Sequence, residues 1–466
     1  MPWRRRFHTV EMPDILPWPD NWSDVWQRPV IRVTLMKAFL GGIQTLPRDV
    51  KLFILFNLLA NIGFGVFQLV FNLYLIQLDF REDYIGAFNS VQTVFMALAG
   101  VTLGFTIGKL GLWHGLVFGM AIFFVSSYAV AVVEQPVGLL GLSALYGFGL
   151  CYLFNFTMPF ILEFCPPQER PRVAAITFSM VSLAITVGSL LGGFLPSIIH
   201  DLSGDIGDPS VTAYRATLII GTTIAAFGLF PLMMMGEARR SRAAQDLAKT
   251  LTDETPTERT QVRRDLSVFV GAAGLMSLGV GLVVPFYNVF LTTLGADSEQ
   301  VGYVFAFGSL CAAIIGLAAP WVARRFGSLN SVLVLRLGML PCYFLLIFFP
   351  VYGLAIVAHA VRLTCINMNW PIDSTFMGEM LPRRARATAF GWRSAAWNFG
   401  SAISALIGGW VIVKWGYSPT FAGMIVFTAL SAFVFTSYFR RHPRVRSGEL
   451  DKRSSRKQPE AESVAV

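Results

Sequence analysis

Residues 379–386, EMLPRRAR, repeat the pattern of residues 163–170, EFCPPQER: an acid, a proline and an arginine at fixed spacing, 216 positions apart. The same offset carries Asp49 onto Asp265, Phe53 onto Phe269, Gly63 onto Gly279, Gly65 onto Gly281 and Asn72 onto Asn288. It carries Gly86 onto Gly302, Gly100 onto Gly316, Gly111 onto Gly327, and Gly192-Gly193 onto Gly408-Gly409. Glycines alone could coincide in an apolar chain; the Glu–Pro–Arg triplet could not easily do so. The sequence therefore reads as two copies of one unit, and a single ungapped offset predicts that six helices of one copy match six of the other.

The composition fixes the solvent of that unit. The 466 residues are 54% hydrophobic and 14% charged, with mean hydropathy +0.58, where a soluble chain is nearer a quarter charged. Twelve apolar stretches have the length to span a bilayer: 51–77, 84–107, 112–133, 137–162, 172–199, 212–235, 266–294, 299–323, 328–350, 352–377, 386–413 and 418–439. The expected fold is all-α and polytopic, with twelve transmembrane helices in two bundles of six. An even number of spans per copy gives both the same orientation, so the bundles should be related by a pseudo-twofold axis along the membrane normal. The expected organisation is an interfacial segment at 1–48, one bundle at 49–235, a polar linker at 236–265, a second bundle at 266–439 and a basic tail at 440–466.

Lys and Arg set the topology. If the amino terminus is cytoplasmic, 31 of the 37 basic residues fall in cytoplasmic segments. Three (Arg81, Arg215 and Lys414) fall in the opposite loops, and three (Arg336, Arg362 and Arg393) lie within spans. The positive-inside rule then places both termini in the cytoplasm of a cell whose inner, plasma membrane holds the protein. This bias accounts for the net charge of +9 without nucleic acid. The five cysteines show no paired or metal-binding spacing, and the five histidines are dispersed, so neither a metal nor a disulfide framework is expected. No phosphate-binding G-x-x-x-x-G-K-[ST] loop occurs, which argues against direct ATP use. No His, Asp or Glu cluster of the enzymatic kind is present, so the expectation is no enzyme and no cofactor.

These features resemble the major facilitator superfamily of secondary transporters over roughly residues 49–440. Gly104, Gly108, Lys109 and Gly111 are similar to that family's loop signature after the second helix, G-x-x-x-D-[RK]-x-G, with Gly108 in place of the acid. Pro320 to Gly327 match the second copy more loosely, with Arg324 at the acid position and Arg325 following. Ala184, Gly188, Ser189, Gly192 and Gly193 resemble the glycine motif of the family's drug antiporters. Physically this is a stripe of small residues that lets helices approach closely. The resemblance implies a membrane permease working by alternating access on a small-molecule substrate. It further implies a cytoplasmic gate in which Lys109, Glu163, Arg170, Arg324, Arg325, Glu379 and Arg386 latch the halves. The other readings are a proton-coupled multidrug efflux antiporter and a non-transporting receptor or scaffold of the same fold.

The resemblance also implies that the first, fourth, seventh and tenth helices line the central cavity, and polar residues recur on them. The expected cavity residues are Asn61, Gln68 and Asn72 on the first; Tyr152 and Asn155 on the fourth; Asn288 on the seventh; and His359, Arg362, Asn369 and Trp370 on the tenth. Pro159, Pro285 and Pro371 should disturb their helices and free nearby carbonyls. Charged residues in a span are expensive and point to an interior or a water-filled path. Asp373 is the one acid well inside the twelve stretches, and its depth matches Arg393 on the next helix, with Arg336 as a competing partner. Arg362 lies ten residues into its helix, about 15 Å deep, with no acid at that level. A small organic anion, or an amphipathic molecule with an acidic group, would answer it; carbonyls and Asn side chains are the alternative. A coupling proton, uniport and exchange all stay open. The expected surroundings are the lipid bilayer, and the expected assembly is a monomer.

Overall fold

The computed structural model describes residues 46–165, 170–203, 210–236, 256–316 and 318–446. The described residues hold helices and no strand. Ten helices are long and apolar enough to cross a membrane. The second span (Glu82–Leu110) and the tenth (Tyr352–Met380), each of 29 residues, complete the twelve. At 1.5 Å per residue each is about 43 Å long.

The remaining spans are the first (Arg48–Gln77), the third (Leu112–Val132), the fifth (Arg170–Ser203), the eleventh (Arg383–Trp415) and the twelfth (Ser418–Phe439). Five more are interrupted. The fourth breaks between Pro136–Asn155 and Thr157–Phe164, one turn before Pro159, and the sixth runs Val211–Ala226 then Leu229–Met233. The seventh passes from Pro256–Val283 through a 3-10 turn, Val284–Phe286, into Tyr287–Thr293. The eighth is Ser298–Gly316 then Ala319–Phe326, and the ninth Ser328–Gly338 then Leu340–Phe348. Pro285 sits inside the 3-10 turn, as expected of a ring that removes an amide donor. Pro371 interrupts nothing: its helix runs on to Met380. The seventh helix starts at Pro256, so the last ten residues of the linker stretch are helical.

Packing repeats between the halves. The first span lies against the fifth and sixth, as the seventh lies against the eleventh and twelfth. The fourth packs on the second and third as the tenth packs on the eighth and ninth. The halves meet where the second span crosses the eleventh and the eighth crosses the fifth, two contacts that are images of one another. Lipid offers no hydrophobic drive between helices, so close approach through small residues takes its place. A Cβ on Gly193 would lie 2.8 Å from the Cα of Gly302 and 3.0 Å from the Ser298 carbonyl. Its image, Gly409, meets Glu82 O, and Gly86 meets Ala405 O and Gly409. Four of the recurring glycines, Gly86, Gly193, Gly302 and Gly409, thus sit at the two crossings of the halves. Gly188 and Gly192 pack on the first span in the same manner, so the small-residue stripe of the fifth span is a packing surface.

Two other repeated residues acquire reasons. Gly111 and Gly327 both have positive φ, 81° and 75°, a conformation that a side chain would strain. Asp49 accepts a hydrogen bond from the Gly236 amide at 3.4 Å, and Asp265 accepts one from the Tyr438 hydroxyl at 2.7 Å. Each buried aspartate ties the start of a bundle to the end of its last helix. The offset itself fails at that last helix. Gly63 packs on Gly221 and Ala225, whereas Gly279 packs on Met424 and Thr428. The sixth and twelfth spans are related by a shorter shift because the loop before the sixth is longer than its counterpart. The ungapped match therefore covers five helices of each half.

Candidate functional site

A cavity of about 400 Å³ lies between the halves. Its closed end is set by two asparagines. Asn72 donates from Nδ2 to the carbonyl of Pro285, and Asn288 donates from Nδ2 to the carbonyl of Leu69 at 2.8 Å. Leu69 and Pro285 are themselves related by the 216-residue offset, so the two bonds form a reciprocal clasp across the pseudo-twofold. Beyond it, away from the termini, the glycine crossings and a bond from the Tyr417 hydroxyl to Glu82 Oε1 (3.2 Å) hold the halves together. Burial and the Glu82 carboxylate both push the Tyr417 hydroxyl upward, so it stays a donor. The side-chain bonds Asn72–Pro285, Asn288–Leu69, Ser197–Ser298 and Tyr417–Glu82, which join the halves, all lie at this end. The cavity lining runs from the clasp toward the termini, from Asn72 to Phe64 on the first span and from His359 to Asn367 on the tenth.

Arg362 and His359 stand one turn apart on the tenth span and are 3% and 2% exposed. Arg362 Nη2 lies 3.1 Å from His359 Nδ1. A guanidinium only donates, so Nδ1 is the acceptor and the imidazole proton belongs on Nε2. The guanidinium carbon sits 5.4 Å from the centre of the Tyr287 ring, a cation–π distance. Tyr287 is fixed in turn by donating to the Ala355 carbonyl at 2.7 Å. Phe305 packs its ring 4.5 Å from that of His359. Arg362 Nε and His359 Nε2 are buried without a hydrogen-bond partner. No acid lines this cavity among the described residues, and Arg362 is the one charged group there.

A second cluster lies further along the tenth span. Asp373 Oδ2 is 3.5 Å from Arg393 Nη2 and 3.6 Å from Arg336 Nη2. Both candidate partners engage it at once. Arg336 also donates to Ser431 Oγ at 3.0 Å and lies 4.6 Å over the Phe435 ring. Arg393 donates to Ser374 Oγ at 3.2 Å and lies 4.5 Å over Trp370. This is two cations on one anion, all three nearly fully buried. Asn369 and Trp370 line this small pocket and not the central cavity.

Of the residues expected in the cavity, the structure brings Gln68, Asn72, Asn288, His359 and Arg362 together. Asn61 is buried and donates to the Asn57 carbonyl at 2.8 Å. Tyr152 packs against Gly119 and donates to Thr106 Oγ1 at 3.3 Å, and Asn155 donates to the Cys151 carbonyl at 3.0 Å. Asn89 and Gln92 of the second span, Ser182 and Ser189 of the fifth and Ser309 of the eighth also line the cavity. Asn89 and Gln92 form a polar i, i+3 pair on an apolar stretch, which is the sequence signal for their place in the cavity. The side chains of Lys109, Glu163, Arg170, Arg324 and Arg386 lie outside the described residues; Arg325 and Glu379 are exposed.

The family model for the Major Facilitator Superfamily matches residues 53–371 and 356–464. A gallate transporter of Pseudomonas putida is 23% identical over 397 residues, covering 76% of this chain and 84% of the relative. A probable galactarate/D-glucarate transporter of Bacillus subtilis (strain 168) is 30% identical over 169 residues, 34% of this chain and 36% of the relative. Among solved structures, a nucleoside transporter superposes with a TM-score of 0.66 at 16% identity, covering 85% of this chain and all of the other.

Proposed function

This chain belongs to the major facilitator superfamily and is a multi-pass membrane transporter, and from that premise we propose that its cargo is a small organic carboxylate bound at Arg362. One observation carries the proposal: a permanently charged guanidinium, buried between the halves, with a free Nε and no carboxylate among the described lining residues of its cavity. Arginine cannot shed its proton there, and an uncompensated buried charge is costly. A planar carboxylate would answer the charge and accept from Nε and Nη together. His359 Nε2, also without a partner, supplies a second donor to the same anion. The relatives' named substrates, gallate and galactarate or glucarate, are carboxylates, which supports the reading.

Charge distribution supports cytoplasmic termini. On that orientation the clasp at Asn72 and Asn288 seals the outer side, and the cavity opens to the cytoplasm. Transport then consists of releasing this clasp and closing the opposite end, with the cargo held between halves that rock about it. The test is Arg362→Gln in proteoliposomes, with insertion checked by trypsin accessibility. A charge-assisted hydrogen bond contributes about 1.5–3 kcal/mol, so carboxylate flux should fall at least tenfold while uptake of the corresponding amide is kept. Equal carboxylate flux by variant and wild type would remove the proposal.

A further inference from the structure

The cavity is chemically lopsided. Its charge comes from the C-terminal half, at Arg362 and His359. The N-terminal half presents an aromatic wall instead. Phe67 stacks on Phe71 at 4.7 Å and on Tyr146 at 4.4 Å, and Phe64 meets Phe154 edge-on at 5.0 Å. Four carboxamides stand among these rings. Two are already engaged with carbonyls: Asn72 with Pro285 across the clasp, and Asn89 with Ile85 at 2.8 Å. The other two, Gln68 and Gln92, line the cavity and make no side-chain hydrogen bond within the described residues.

We propose that the carboxylate cargo is a hydroxylated aromatic monocarboxylate that bridges the halves. Its carboxylate lies at Arg362, its ring faces lie against the Phe64–Phe67–Phe154 wall, and its ring hydroxyls meet Gln68 and Gln92. The inference rests on the carboxylate reading and narrows it. A second carboxylate would give up water for a cavity with no second cation among the described lining residues, which is unfavourable once the halves close on it. A flexible polyhydroxy chain would set its hydroxyls against ring faces that accept no ordinary hydrogen bond. An aromatic ring gains from stacked or edge contacts on such a wall. Each free glutamine offers one acceptor and two donors, which suits a phenolic hydroxyl. Gln68 and Gln92 are then specificity-determining, selecting hydroxylated over bare rings.

The experiment measures ligand-induced stabilisation of the purified full chain, which rises with ligand concentration over Kd, for 3,4-dihydroxybenzoate, benzoate, glucarate and catechol. 3,4-Dihydroxybenzoate should bind best. Benzoate should be weaker by about tenfold, the loss of one to two neutral hydrogen bonds. Glucarate and catechol should be weaker still. The double substitution Gln68→Leu, Gln92→Leu should bring benzoate and 3,4-dihydroxybenzoate to within about twofold. Glucarate binding as tightly as 3,4-dihydroxybenzoate would overturn the ring assignment and leave the carboxylate reading standing. Catechol binding as tightly would sink the carboxylate reading itself, and no shift with any of the four would overturn both. Equal binding of benzoate to the wild type would remove the role of the glutamines, whatever the variant does.

Discussion

Replacing Asn72 or Asn288 with alanine removes one bond of the reciprocal clasp and leaves the glycine crossings untouched. Each bond runs from a carboxamide to a carbonyl within a part-buried or buried interface, and a neutral bond of that kind contributes about 1 kcal/mol net. Breaking both therefore favours the conformation open at that end by about 2 kcal/mol, close to a thirtyfold change in the ratio of the two states. The pseudo-twofold adds a sharper condition. Because the two bonds are images of each other, the two single variants should shift the ratio equally, to within about 0.5 kcal/mol. Spin labels on Val137 and Val351 would report it in a background without the native cysteines. Both positions are exposed, at 76% and 56%, and both lie at the clasped end, one on each half. A second, longer distance should grow in each single variant and grow further in the double. An unchanged distance distribution in the double variant would refute the clasp. A large effect from one asparagine and none from the other would refute its symmetry.

Asp373→Asn should be far more damaging than Arg393→Gln. The first leaves two buried guanidinium groups without their counter-charge, at a cost of about 3–5 kcal/mol, while the second leaves Arg336 and Asp373 as a balanced pair; thermal unfolding in detergent would compare them, and equal losses would argue against the three-group cluster. Tyr417→Phe should weaken the sealed end without changing the pH profile of transport between about pH 7 and 10. The hydroxyl's value is raised in the folded protein by burial and Glu82, so its proton, and the bond it donates, are lost only above the ordinary tyrosine range. An alkaline limb below about pH 10 in the wild type that is absent from the variant would contradict this.

Much of this molecule could be read without coordinates, because a bilayer leaves few choices. Apolar length dictates helices. An internal repeat dictates symmetry, since two copies of one sequence fold alike and meet about an axis. That is why Gly86 and Gly302, and Gly193 and Gly409, are legible in the sequence as equivalent positions. It is also why Arg362 stood out: a cation in mid-membrane signals an interior wherever it occurs. What periodicity cannot supply is the neighbour. It gives the direction of a side chain from its own helix axis, not which helix waits there. Arg362, Asn369 and Asp373 share one face of the tenth span, yet helix packing sends the first to the central cavity and the other two to a separate pocket with Arg336 and Arg393. Asn61 and Asn155 bond to carbonyls of their own helix and Tyr152 to Thr106 of the second span, while Asn89 and Gln92 enter the cavity from that second span. The failure of the offset at the sixth and twelfth helices has the same origin. Loop length is free to drift in sequence, while the register of a helix is set by the Gly63 or Gly279 surface it must pack against. The sequence by itself thus determined which residues could not face lipid; only the tertiary structure decided which of them face one another, because that depends on the meeting of helices far apart in the chain.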